Sequence, residues 1–274
     1  MARQIEKLYR FKPDKYNIKC MSKITVIGCG GNGSHLIPNL ARLVKTLGRK
    51  IEIVLVDGDE VEDKNLIRQH FIQADVGKNK AAALAKRYSA ALGVEIGHVP
   101  EYLTSENASG IIRPTGQLII SCTDNLKSRK LISNTKGNYW IDLGNEESSG
   151  QVVFSYQARN YWAGKSIKDN TEFPMPDVFD IFPAYNEKVL KEVPIDQASC
   201  AEMAEESPVQ LGFVNANCAT IAINYAHALL TNRAITNNMV FFSIDNAFEH
   251  RPMTKSVVES WVTKYKGFSG ANIV

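Results

Sequence analysis

From Lys23 to Ala158, short apolar runs rich in β-branched residues alternate with longer segments of helical period. Lys23 to Ile27 predicts a first strand. In the segment that follows, Leu36, Leu40, Leu43 and Leu47 recur at helical spacing, and Pro38 falls in the first turns, where it costs a helix least. Ile51 to Val56 predicts a second strand. Asp75 to Leu92 carries Ala and Leu at helical spacing and puts Lys80 in the first turn of a helix. Val94–Val99 and Gln117–Ser121 read as the next strands, and a helix bearing Arg129 and Lys130 follows the second of them. Tyr139–Leu143 and Gly150–Ala158 read as two more. Alternation of this kind predicts an α/β fold, a Rossmann-like doubly wound sheet.

The pattern changes on either side of this block. Residues 1–22 are mixed, charged and broken by Pro13, and they read as an N-terminal arm outside the core. From Arg159 to Ser199 the periodicity dissolves into aromatic, proline-broken segments. That stretch reads as a crossover loop or lid over a site, within a single domain spanning 23–274. Val209 to Leu230, apolar at nearly every turn, predicts a buried helix; Val240–Ile244 predicts a late strand and Val257–Tyr265 a closing amphipathic helix. There is no internal repeat and no low-complexity segment.

With 274 residues, 44% of them hydrophobic, the chain can bury a sizeable core, so disorder is not expected. Its net charge of +3 comes from nearly balanced Lys, Arg, Asp and Glu, with no basic block, so nucleic acid is not an expected partner. No apolar run is long enough to span a bilayer. The five cysteines form no CxxC pair and stand near no histidine at metal-ligand spacing, so no zinc is expected. Their odd number, without a signal peptide, points to a reducing cytoplasm.

The candidate chemistry begins at the end of the first strand. Gly28, Gly30 and Gly33 form a Gly-x-Gly-x-x-Gly turn, with Gly31 inside it, between strand and helix. This arrangement allows a tight turn, close approach of a phosphate, and close packing of helix on strand. Asp57 closes the second strand about 24 residues beyond Gly33, near the spacing of a ribose-binding carboxylate, although an Asp-Gly-Asp turn offers a plainer reason for it. Between Val56 and Lys80 the chain adds Asp59, Asn65, Arg68, Gln69 and Lys80. A dinucleotide fold has no need of that set. A triphosphate whose charge must be neutralised as it is broken would use it. Lys80 at the positive end of a helix is misplaced unless an anion lies there. Thr123, Asp124 and Asn125 follow a central strand; Asp124 suits a magnesium ligand and also reads as a helix cap. Cys29 and Cys122 read as packing residues.

These blocks together, GCGGNG, VDGDEVEDKNLIRQ, VGKNKA and SCTDN, resemble the ThiF/MoeB family, the bacterial branch of the ubiquitin-activating enzyme superfamily, over residues 23–246. Some of the wording looks most like its plasmid-associated group. The resemblance implies a mixed sheet and ATP-dependent adenylation of a carboxylate, with Asp57 on the ribose, Asn65, Arg68 and Lys80 on the triphosphate, and Asp124 on Mg²⁺. It implies a homodimer, in which Arg3 is placed to contact the partner's site. The implied substrate is the C-terminal glycine of a small ubiquitin-like or sulfur-carrier protein. Cys200 aligns with the thiol that sulfur-carrier activators carry before the late helix, and a small packed cysteine reads the same way. The zinc-binding CxxC pairs of many members are not in this sequence. Three other readings compete: activation and cyclisation of a modified tRNA base, an NAD-dependent oxidoreductase, and a nucleotide-binding interaction module without catalysis.

Overall fold

A computed structural model describes residues 8–135, 137–156, 172–191, 212–244 and 249–260. The described elements are α1 (Lys15–Cys20), β1 (Lys23–Ile27), α2 (Gly31–Leu47), β2 (Glu52–Val56), α3 (Lys80–Leu92), β3 (Ile96–Val99), α4 (Ala108–Ile111), β4 (Leu118–Ser121), α5 (Leu126–Ser133), β5 (Tyr139–Asn145), β6 (Ser149–Tyr156), α6 (Val178–Ile181), α7 (Ala184–Lys191), α8 (Gly212–Leu230), β7 (Asn237–Ser243) and β8 (Glu249–Pro252). Short 3₁₀ turns, Asp63–Ile67 and Gln73–Asp75, lie between β2 and α3.

The strands form one eight-stranded sheet in the order β3-β2-β1-β4-β5-β6-β7-β8. The five from β3 to β5 are parallel, with Val26 opposite Leu55 and Ile120 on β1–β2 and β1–β4. From β5 onward each pairing is antiparallel. Side chains alternate across a strand, so successive residues serve different layers. Ile24, Val26, Leu118, Ile120 and Ile141 join the core under α2 and α8, whereas Ile27, Ile119 and Trp140 join a second core with Val178 and Phe179. The sheet is therefore sandwiched between two helical layers. Helix α8 is apolar around most of its circumference because it packs on α2 as well as on β5 and β6. Among the described residues no helix is long and apolar enough to cross a membrane.

The doubly wound mixed sheet agrees with the expectation, and three local expectations need correction. Residues 8–22 are part of the core. Tyr9, Phe11, Ile18 and Met21 are buried, and Phe11 stacks edge-on against Phe154 and Phe173 while bridging to Ile235. The described part of the aromatic stretch, 172–191, is not structureless: it holds α6 and α7 and buries Phe173, Met175, Val178 and Phe179. The third helix starts at Lys80, in keeping with a lysine in its first turn, because Gly77 turns the chain with φ +78° and Asn79 caps the helix through Ala82 N–H. Strand β8 was not expected at all. The closing helix is described over 255–260.

Strand order reverses direction between β1 and β4, so the crevice beyond their carboxyl ends is where an open sheet of this kind receives a ligand.

Candidate active site

The turn after β1 is held by steric necessity. Gly28 has φ +92°, and a Cβ there would lie 2.8 Å from the backbone carbonyl of Cys122 at the end of β4. A Cβ on Gly33 would collide with the carbonyl oxygen of Gly28, so Gly33 serves the packing of helix on strand and does not line the cleft. This compact turn leaves the amino end of α2, from Gly31, open to a cleft of about 570 Å³.

Asp57 sits at the floor of that cleft. Its Oδ2 accepts from Cys29 N–H at 2.6 Å and its Oδ1 from Asp59 N–H at 2.9 Å, which ties the glycine turn to the end of β2. Burial raises its carboxyl to about 6, with Asp59 adding to the rise and Lys80 opposing it. Lys80, 7% exposed, pairs with Asp59 at 2.8 Å, and Asp59 also accepts from the Tyr102 hydroxyl. The anion demanded by a lysine at a helix start is thus supplied by the chain itself. The ring of Tyr102 lies over Gly58, where a Cβ would come within 2.7 Å of it.

Asn65 is buried, and its side-chain oxygen accepts from Glu62 N–H at 3.0 Å. That contact shapes the 3₁₀ turn that delivers Arg68 and Gln69 to the cleft. Behind them His35 Nε2 lies 3.2 Å from the carbonyl of Arg68, and its ring lies against that of His70, tilted by 46° with centroids 4.0 Å apart. Burial pushes both imidazoles below their ordinary value, which favours their neutral forms. Across the cleft, Asp124 is exposed beside Thr123. Asn125 is the cap of α5, accepting from Ser128 N–H at 2.9 Å, and does not line the cleft.

Most of the expected set therefore converges on one cleft: Gly28, Gly30, Gly31, Asp57, Asp59, Asn65, Arg68, Gln69, Lys80, Thr123 and Asp124 all line it. Arg3 and Cys200 lie outside the described residues. Burial pushes the Cys29 and Cys122 thiols well above their ordinary value, which suits packing and not nucleophilic attack. No cluster of three or more potential metal-ligating side chains occurs among the described residues. An exposed carboxylate such as Asp124 suits Mg²⁺, which takes most of its ligands from water and phosphate.

Several lining residues were missed from the sequence. Arg129 forms a buried pair with Asp142 at 3.1 Å and donates to the Leu143 carbonyl at 2.8 Å. Asp142 also accepts from Ser121, which in turn accepts from Trp140 Nε1 at 2.7 Å. Burial raises the Asp142 carboxyl, and Arg129 and Ser121 oppose the rise. A carboxylate in the middle of the apolar run YWIDL was the available signal, since such a group needs a buried cation. Tyr102, Asn32, Asn145 and Asn215 complete this part of the wall, and Tyr185 and Lys188 of α7 reach it from the second layer.

Comparison with known proteins agrees with this geometry. Solved structures with the same fold include PaaA (TM-score 0.58, 18% identity, covering 88% of this chain and 67% of that one) and Escherichia coli MccB with ATP (0.57, 16% identity, 87% and 66%). In sequence, the chain is 36% identical over 146 residues to the adenylyltransferase and sulfurtransferase uba4 of Aspergillus fumigatus, covering 50% of this chain and 28% of the relative. It is 37% identical over 118 residues to the Aspergillus niger protein of the same name, covering 42% and 23%. The chain thus spans about a quarter of the length of these curated relatives. The pattern of the ThiF family matches residues 1–259, from the N-terminal segment through the glycine turn and the cleft to the end of the described sheet, and on that match the chain belongs to the ThiF family.

Proposed function

We propose that this chain catalyses ATP-dependent adenylation of a carboxylate, the C-terminal glycine of a small ubiquitin-like or sulfur-carrier protein. The observation that carries the reading is the convergence of Arg68 and Lys80 with Asp57 and Asp124 around the glycine turn. The relatives support it, since the uba4 proteins are adenylyltransferases and sulfurtransferases and MccB was solved with ATP.

The acceptor carboxylate is already a nucleophile at neutral pH, so no general base is required. Its oxygen bonds to the α-phosphorus, the bond from that phosphorus to the bridging oxygen breaks, and pyrophosphate leaves with the electron pair. Asp57 holds the ribose; the backbone amides opening α2 face the phosphates; Arg68 and Lys80 neutralise the leaving charge. Asp124 is the residue to hold Mg²⁺, which would supply further charge neutralisation. In a homodimer, Arg3 of a second copy would add to it. Capture of the adenylate by Cys200 would expel AMP and leave a thioester.

The test is exchange of labelled pyrophosphate into ATP with the small-protein fraction of the source cells added or omitted. Exchange that depends on the fraction and disappears in Asp124→Ala is expected. ATP binding without exchange under any acceptor would overturn the reading.

A further inference from the structure

Around the first turn of α2, the cleft contains three buried carboxamides whose hydrogen-bonding capacity is not filled among the described residues. Asn215 is 0% exposed, and neither its Oδ1 nor its Nδ2 has a hydrogen-bond partner among the described residues. Asn32 Oδ1 and Gln69 Oε1 are likewise without one, although Asn32 Nδ2 donates to Asn145 Oδ1 at 2.7 Å. All three side chains line the cleft. Asn215 is set directly against the backbone of Gly31, where an added Cβ would lie 2.8 Å from Nδ2 and 3.0 Å from Oδ1. The carboxamide therefore stands beside the amino end of α2, where the phosphates are expected.

The balance of donors and acceptors identifies what fits there. The unsatisfied atoms are three oxygens and one NH₂ group. A phosphate or a carboxylate only accepts, so it would satisfy Nδ2 and leave all three oxygens stranded. A buried polar atom left without a partner costs about 1–3 kcal/mol, so an acceptor-only ligand gains little here. A peptide unit offers one N–H and one C=O, which matches the two sides of a carboxamide.

We propose that Asn215, assisted by Asn32 and Gln69, docks the last peptide unit of the acceptor polypeptide, taking its N–H on an amide oxygen and giving Nδ2 to its C=O. The terminal carboxylate then arrives beside the α-phosphorus. This inference rests on the adenylation reading, and it adds the group by which the chain selects a polypeptide terminus over a free carboxylic acid.

The test uses the full chain, ATP and two probes: a synthetic decapeptide ending in Gly-Gly, and the same peptide with its last amide replaced by an ester, which removes the one N–H. Pyrophosphate release is measured. The wild-type chain is expected to show a KM about tenfold lower for the amide than for the ester, and Asn215→Ala to raise the amide KM about tenfold until the two probes are equal. The KM for ATP should stay constant, and the Tm should hold or rise, because the substitution removes unpartnered polar atoms. An amide preference that survives in Asn215→Ala would overturn the inference, as would a loss that falls on ATP. Release with the cellular small-protein fraction but with neither peptide would also overturn it while leaving the adenylation reading standing. No release with any acceptor would overturn both.

Discussion

The two sides of the cleft are built on opposite principles. On the side of β2 and α3, the charged groups are already engaged, with Lys80 on Asp59, Asp59 on Tyr102, and Asp57 on two backbone N–H groups. Around the amino end of α2, the neutral carboxamides of Asn32, Gln69 and Asn215 have atoms with no partner among the described residues. The difference follows from the cost of desolvation. An unpaired buried ion costs several kcal/mol, which a domain of ordinary stability can rarely tolerate, whereas an unpaired amide atom costs about 1–3 kcal/mol. A site can keep neutral groups waiting for a ligand, but it must give its ions provisional partners.

The largest expected effect tests the charged side through chemistry. Arg68→Ala and Lys80→Ala should each lower pyrophosphate exchange about a thousandfold with the fold intact by circular dichroism, if these cations act on the departing charge. Full exchange in either would move the reaction away from this side. The next effect tests the provisional pairing itself. Asp59→Ala removes the carboxylate paired with buried Lys80 and should cost about 3 kcal/mol in a denaturant titration, against a change near zero for Asn215→Ala. Equal costs would erase the contrast between the two sides.

The smallest effect concerns pH. Burial raises the Asp57 carboxyl to about 6. The folded chain therefore holds this proton more tightly than the unfolded chain does, and the stability the proton contributes is lost as pH rises through that value. Ribose binding needs the ionised form, so ATP affinity should run the opposite way, falling about tenfold between pH 7.5 and pH 5 by calorimetry. A flat profile over that interval would mean that Asp57 does not meet the nucleotide.

Much of the charged side could be read in the sequence, because each of its residues sits at a backbone landmark: Gly28 in a turn of positive φ, Asp57 at a strand end, Lys80 at the first position of a helix. Local spacing determines such positions. The amide side depends on which residues of distant segments meet, and Asn215 reaches Gly31 only because α8 packs on α2. The sequence signal was weak, since the run GFVNANCATIAINY holds three asparagines and only the fold shows that Asn215, rather than Asn217 or Asn224, is the buried one. The segment at 172–191 failed for a related reason. Its helices are too short to show a period, and they are held by burying Val178 and Phe179 under the sheet.

The contact between Gly31 and Asn215 also constrains descent. Any side chain at position 31 would occupy the space of the carboxamide at 215, so the two sites cannot drift independently. Lineages that gain a residue at 31 must first shrink 215, and lineages that keep an amide at 215 must keep glycine at 31. Across the relatives of this chain, these two positions, far apart in sequence, should change together.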